Sequence, residues 1–177
     1  MTPEKSLMAQ GPGKAEQARL REIMQTGLEQ SLATLRTMLD GRIEFRPQEP
    51  VWKNAGVKIQ LGLHGALEGG MYIELPEHMA DEIVKRLTAG KAQSLLNENA
   101  RSALMEVGNI LASVFVAHFD RSRGLRTLPS PPQLSFAPLE LPQFAFCYAA
   151  RLCWSQCPEQ GEVLIGMQQP ALDILLA

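Results

Sequence analysis

From residue 15 onward the chain writes one order of elements twice: a helix, three strands, a helix. Residues 15–40 read as a helix, with Leu20, Ile23, Gly27, Thr34 and Met38 on one side and Asp40-Gly41 as its stop. Ile43-Glu-Phe45 starts a short strand that Pro47 and Pro50 interrupt. Gly56 to Leu63 alternates through Val57, Ile59, Leu61 and Leu63, the period of a strand with one buried face. A glycine-rich turn at 65–70 leads to a strand at Met71–Leu75, and Pro76 opens a helix over 77–89 that Gly90 ends. In the second half, Asn97 or Asn99 caps a helix reaching about Asp120, with Gly124 as its stop. A rigid Leu128-Pro-Ser-Pro-Pro132 turn follows. Strands are then predicted at Leu134–Phe136, Phe144–Trp154 and Gly161–Met167, and a short helix at Pro170–Leu176.

Laid on each other at an offset of 84, the halves put Glu22 on Glu106, Gln25 on Asn109 and Pro47 on Pro131. Identity is thin, but an ancient duplication is the simplest source of the repeated order. The predicted fold is α/β, of the α+β kind: an internally duplicated, pseudo-twofold domain with long helices packed on a largely antiparallel sheet. Residues 1–14, with Pro3, Gly11, Pro12 and Gly13, read as a flexible tail; residues 15–177 form one domain, with half-repeats at about 15–90 and 95–177.

A length of 177 residues suits one domain with a sizeable core. The net charge of −2 lacks the basic excess that nucleic-acid binding leaves. The longest apolar runs, such as Ile110 to His118, are too short and interrupted to cross a membrane, and the N-terminus has no signal-peptide pattern. The expectation is a cytoplasmic protein. Three cysteines, Cys147, Cys153 and Cys157, read as reduced core thiols. Cys153-x3-Cys157 lacks the spacing and the second pair of a metal site. His64, His78 and His118 lie in separate elements, and His118 is assigned to the core side of its helix. Gly69-Gly70 reads as a hairpin turn and not as a phosphate cradle. Arg121, Arg123 and Arg126 form a basic cluster that suits a helix C-terminus and could also steer an acidic partner.

The chemistry-bearing feature is the stripe Ser102, Glu106 and Asn109. At 100° per residue these three lie within about 60° of one another on a helix that is otherwise apolar. A solvated face explains such a stripe in many proteins. Here Asn109 competes mid-helix for the backbone, and Gly108 beside it costs about 1 kcal/mol relative to Ala. A sequence chosen for helicity alone would not place Gly-Asn there.

Ser102-x3-Glu106-x2-Asn109, followed after 22 residues by Pro132, resembles the signature of the CheC/CheX/FliY family of response-regulator phosphatases. Glu-Val-Gly-Asn-Ile-Leu at 106–111 and the Pro-Ser-Pro-Pro ending resemble it too, and the likeness extends from about residue 18 onward. The resemblance implies a protein that accelerates loss of phosphate from the aspartyl phosphate of a CheY-like receiver domain, in chemotaxis or related two-component signalling. It implies no cofactor on this chain and a Mg²⁺ in the partner. An acyl phosphate already hydrolyses unaided, so the helper needs no nucleophile, only a group that orients water for in-line attack. Asn109 is the implied catalytic carboxamide. Glu106 would pair with a partner lysine, Ser102 would support docking, and Pro132 would shape the bordering loop. In the first half the matching positions read Ala18, Glu22 and Gln25, a degenerate second site. The alternative is a binding or scaffold module for a receiver domain or flagellar-switch partner that turns nothing over. A homodimer is compatible with the sequence but not required by it.

Overall fold

The computed structural model describes residues 11–92 and 94–177. Residues 1–10 of the expected tail therefore lie outside the described residues. The elements run α1 (Lys14–Glu29), α2 (Leu32–Leu39), β1 (Ile43–Gln48), β2 (Val57–Gly65), β3 (Gly69–Leu75), α3 (Glu77–Leu87), α4 (Glu98–Arg123), β4 (Thr127–Pro129), β5 (Gln133–Ser135), β6 (Phe146–Trp154), β7 (Cys157–Met167) and α5 (Gln169–Leu176). All strands join one antiparallel sheet in the order β1-β6-β7-β3-β2-β4, with β5 also on β2. From either edge inward, the first strand of one half is followed by the hairpin of the other. The helices follow the same plan: α1 lies over β1 and β6, and α4 over β2, β4 and β5.

Alternation in the strands fills the helix-facing side. Val57, Ile59, Leu61 and Leu63 of β2, and Met71, Ile73 and Leu75 of β3, pack with Leu104, Val107, Leu111, Phe115 and Phe119 of α4. Each such side chain contributes about 1.5–3 kcal/mol on burial. Asn97 caps α4 by accepting the Asn99 N–H at 2.8 Å, and Gly124 ends it in the left-handed conformation at φ 66°. A Cβ on Gly108 would stand 2.6 Å from Ile59 Cγ2. Gly108 thus has a packing reason: it lets α4 approach β2 closely, and this sets how high Asn109 rides above the sheet. α4 has the length and mean hydropathy of a membrane-spanning segment, but its apolar side packs on β2, α1 and α3.

The structure departs from the sequence reading at several places, among them β7, which begins at Cys157 and not at Gly161. The predicted helix over 15–40 divides at Gln30-Ser31. Ser31 is buried, and both its N–H (3.1 Å) and its hydroxyl (2.7 Å) donate to the Leu28 carbonyl, which an unbroken helix would bond to Leu32. The core side shifts with the break: Met24, Leu28, Leu35 and Leu39 are buried, whereas Thr34 is exposed. Pro47 does not interrupt β1, because β1 is an edge strand and tolerates a residue with no N–H. The glycine pair at 69–70 belongs to β3, and part of the rigid turn, Leu128 and Pro129, pairs with β2 as β4.

The opposite face of the sheet is covered by loops. Tyr72, Phe144, Cys147 and Leu164 form a small second core beneath Trp52, Leu139 and Leu141. Beside it, neighbouring strands place Lys58 opposite Glu74, Glu74 opposite Glu162, and Glu162 opposite Arg151. Glu74 and Glu162 are only 6% and 5% exposed. Burial, with the Glu74 charge adding to it, pushes the Glu162 carboxyl above its ordinary value, although the Gln48 side chain opposes this.

Candidate functional site

The cap at Asn97 and the approach at Gly108 fix α4 so that one edge stands clear of the core. Ser102, Glu106 and Asn109 are exposed on that edge, while Leu104, Val107 and Gly108 between them, and Leu111 just beyond, are buried. Among the described residues, Glu106 takes part in no ion pair. Nor do the Ser102, Glu106 and Asn109 side chains hydrogen-bond to the protein among the described residues. The edge is a ridge between two open grooves. One, of about 460 Å³, lies between Ser102, Met105, Glu106 and Asn109 on the helix and Pro129, Ser130, Pro131 and Pro132 on the other side. The other, of about 600 Å³, runs from Ser102, Ala103 and Glu106 to Met38, Leu87 and Lys91. The structure therefore brings Ser102, Glu106, Asn109 and Pro132 to one groove.

An exposed carboxamide at such a groove offers donor and acceptor together without charge. The neighbouring carboxylate, one turn away, offers a site for a cation. The groove is lined by hydroxyls, a carboxylate, a carboxamide, a thioether and prolines, and among the described residues neither of its hydroxyls is hydrogen-bonded to a carboxylate or imidazole that could activate it. The arrangement suits placement of a reactant more than covalent chemistry.

The matching positions on α1 are differently engaged. Ala18 and Glu22 are exposed and Gln25 is half-buried. The Gln25 amide donates to Glu29 Oε1 at 2.8 Å, along its own helix. Arg21 reaches Glu49 at 3.3 Å, tying α1 to the Pro47–Pro50 segment. The cavity there holds about 150 Å³ and is lined by neither Glu22 nor Gln25.

The remaining singled-out residues stay apart from the ridge. His118 stacks edge-on to Phe119 at 5.1 Å, half-buried, and burial lowers its pKa. His78 Nδ1 is 4.0 Å from Cys157 Sγ. The three cysteines are free, and burial pushes the Cys147 thiol up to about 11. No group of three or more His, Cys, Asp or Glu side chains converges as metal ligands among the described residues. Arg123 of the basic cluster donates to the Leu175 carbonyl at 3.0 Å and so anchors α5. Sequence reasoning passed over Ser130 and the Glu74–Glu162 pair. Their signals were a serine set among prolines and a glutamate within each of two apolar strands.

No protein-family model matches the sequence, and no curated protein sequence matches it. Solved structures do match the fold. A chemotaxis protein CheX from Desulfovibrio desulfuricans superposes with a TM-score of 0.67 at 17% identity, over 83% of this chain and 99% of that one. FliY from Thermotoga maritima gives 0.70 at 16% identity, over 93% and 96%. The CheX–CheY–BeF3–Mg²⁺ complex from Borrelia burgdorferi gives 0.61 at 20% identity, over 81% and 96%. The chain thus has the fold shared by the CheX, CheC-like and FliY chemotaxis proteins.

Proposed function

We propose that this protein is a phosphatase acting on the aspartyl phosphate of a CheY-like receiver domain. The observation that carries the reading is the exposed Glu106–Asn109 ridge, without side-chain partners among the described residues, beside the proline wall, on a fold shared with CheX and FliY. The solved complex of CheX with CheY, BeF3 and Mg²⁺ supports the choice of partner class.

In this reading α4 enters the partner's phosphorylation site. The Asn109 carboxamide accepts a hydrogen bond from a water and donates one toward the phosphoryl group, holding the water in line with the breaking P–O bond. Water attacks phosphorus, the bond to the aspartyl oxygen breaks, and inorganic phosphate and a free carboxylate leave. A Mg²⁺ held by the partner would supply charge stabilisation. Glu106 pairs with a cation of the partner and fixes register, Ser102 supports that contact, and Pro132 shapes the wall. Glu22 and Gln25 form no working second site. The reading carries a cytoplasmic location with it, since that is where such receivers act.

Phosphate release from a phosphorylated receiver with Mg²⁺, with and without this protein, tests the proposal. Capture of the receiver irrespective of phosphorylation, with no acceleration, would instead establish the binding-module alternative.

A further inference from the structure

The wall of the 460 Å³ groove is unusual in its donors. Of its four residues, Pro129, Pro131 and Pro132 have no N–H. The remaining N–H, that of Ser130, donates to the Gly62 carbonyl at 2.8 Å. The Gly62 N–H returns a bond to Ser130 Oγ at 2.8 Å, and the Ser130 hydroxyl donates to the Pro131 carbonyl at 3.3 Å. Ser130 therefore closes the gap in pairing between β4, which ends opposite Leu63, and β5, which begins opposite Gln60. With its N–H and hydroxyl both engaged, Ser130 is not free to act on a substrate. The wall presents hydrocarbon and carbonyls, and Asn109 carries the one side-chain N–H donor among the groove's residues.

We propose that Ser130 is a positioning residue: by clamping the proline bulge to Gly62, it sets the distance between the wall and Asn109 and so the depth at which a partner seats. This rests on the phosphatase reading above. A wall without free donors does not hold the phosphoryl group, so the side-chain N–H that reaches it from this groove is that of Asn109, while Glu106 and Ser102 serve docking. Displacement of the wall by a fraction of an ångström would spoil alignment more than affinity. Ser130→Ala removes the acceptor for the Gly62 N–H and the tie to Pro131; Ser130→Thr keeps the hydroxyl.

The test combines two readouts on the full chain. Steady-state phosphate release from a phosphorylated receiver gives kcat and KM, and amide exchange by NMR follows Gly62. The expected result for Ser130→Ala is a kcat about tenfold lower with KM within about twofold of wild type, together with faster Gly62 exchange. Ser130→Thr should restore both. Wild-type-like kcat in Ser130→Ala, or a threonine variant as poor as alanine, would overturn the positioning role. Unchanged Gly62 exchange would overturn the clamp itself. A wild-type protein with no activity would instead defeat the phosphatase reading, while the exchange result still judges the clamp.

Discussion

Helices α4 and α1 occupy like places, each over the outer strands of one side of the sheet, yet the polar groups on their edges are engaged differently. On α4 the carboxamide of Asn109 and the carboxylate of Glu106 stand, among the described residues, without protein partners beside an open groove. On α1 the carboxamide of Gln25 is bonded to Glu29, and the neighbouring proline segment is tied in by Arg21 and Glu49. One methylene separates Gln from Asn, and that length lets Gln25 lie along its helix to the residue one turn on. The comparison teaches that a polar stripe is available to another molecule only where its groups are left unspent. An exposed group that already has a good partner must give it up before it can serve another molecule, at a net cost of about 0.5–1.5 kcal/mol.

The comparison can be broken most sharply at Asn109. Asn109→Ala should lower the rate of phosphate release roughly 100-fold while receiver affinity changes little. Glu106→Lys comes next: reversing the docking charge should raise KM at least about tenfold, equivalent to about 1.4 kcal/mol, with a smaller change in kcat. Loss of turnover with intact binding in the glutamate variant, or the converse in the asparagine variant, would exchange their roles.

A control far from both edges sharpens the contrast. The folded-state carboxyl of Glu162 is held above its ordinary value of 4.5, so this group's contribution to stability is full below that value and lost as pH rises through the raised one. Glu162→Gln should remove that loss, raising the midpoint of thermal unfolding at neutral pH and flattening its pH dependence above about 4.5. Phosphate release should stay as in wild type. The smallest effect belongs to α1: the double change Glu22→Ala, Gln25→Ala should alter phosphate release less than about twofold. A large loss there would make α1 a second working edge and end the distinction.

How much of this was legible beforehand follows the range of the interactions involved. Asn97 and Gly124 bound α4 through hydrogen bonds to residues a few positions away, so the helix and its stripe could be read locally. The alternation of β2 likewise gave the core face. Ser31 broke the first helix because it is buried, and burial is a tertiary fact. Pro47 was tolerated because β1 lies at the sheet edge, which depends on strand order. Ser130 acquired its partner from a strand 68 residues away, and Glu74 met Glu162 across β3 and β7. No local pattern announces such pairings. Gly108, which the sequence marks only as a costly choice for a helix beside Asn109, is explained by Ile59 beneath it.

The most direct test of the central claim is phosphate release from a phosphorylated receiver domain in the presence of Mg²⁺, measured side by side for the wild-type protein and Asn109→Ala. The account predicts acceleration by the wild type that falls roughly 100-fold in the variant, with binding preserved. Equal rates for the two proteins, or no acceleration by either while the receiver is bound, would contradict it.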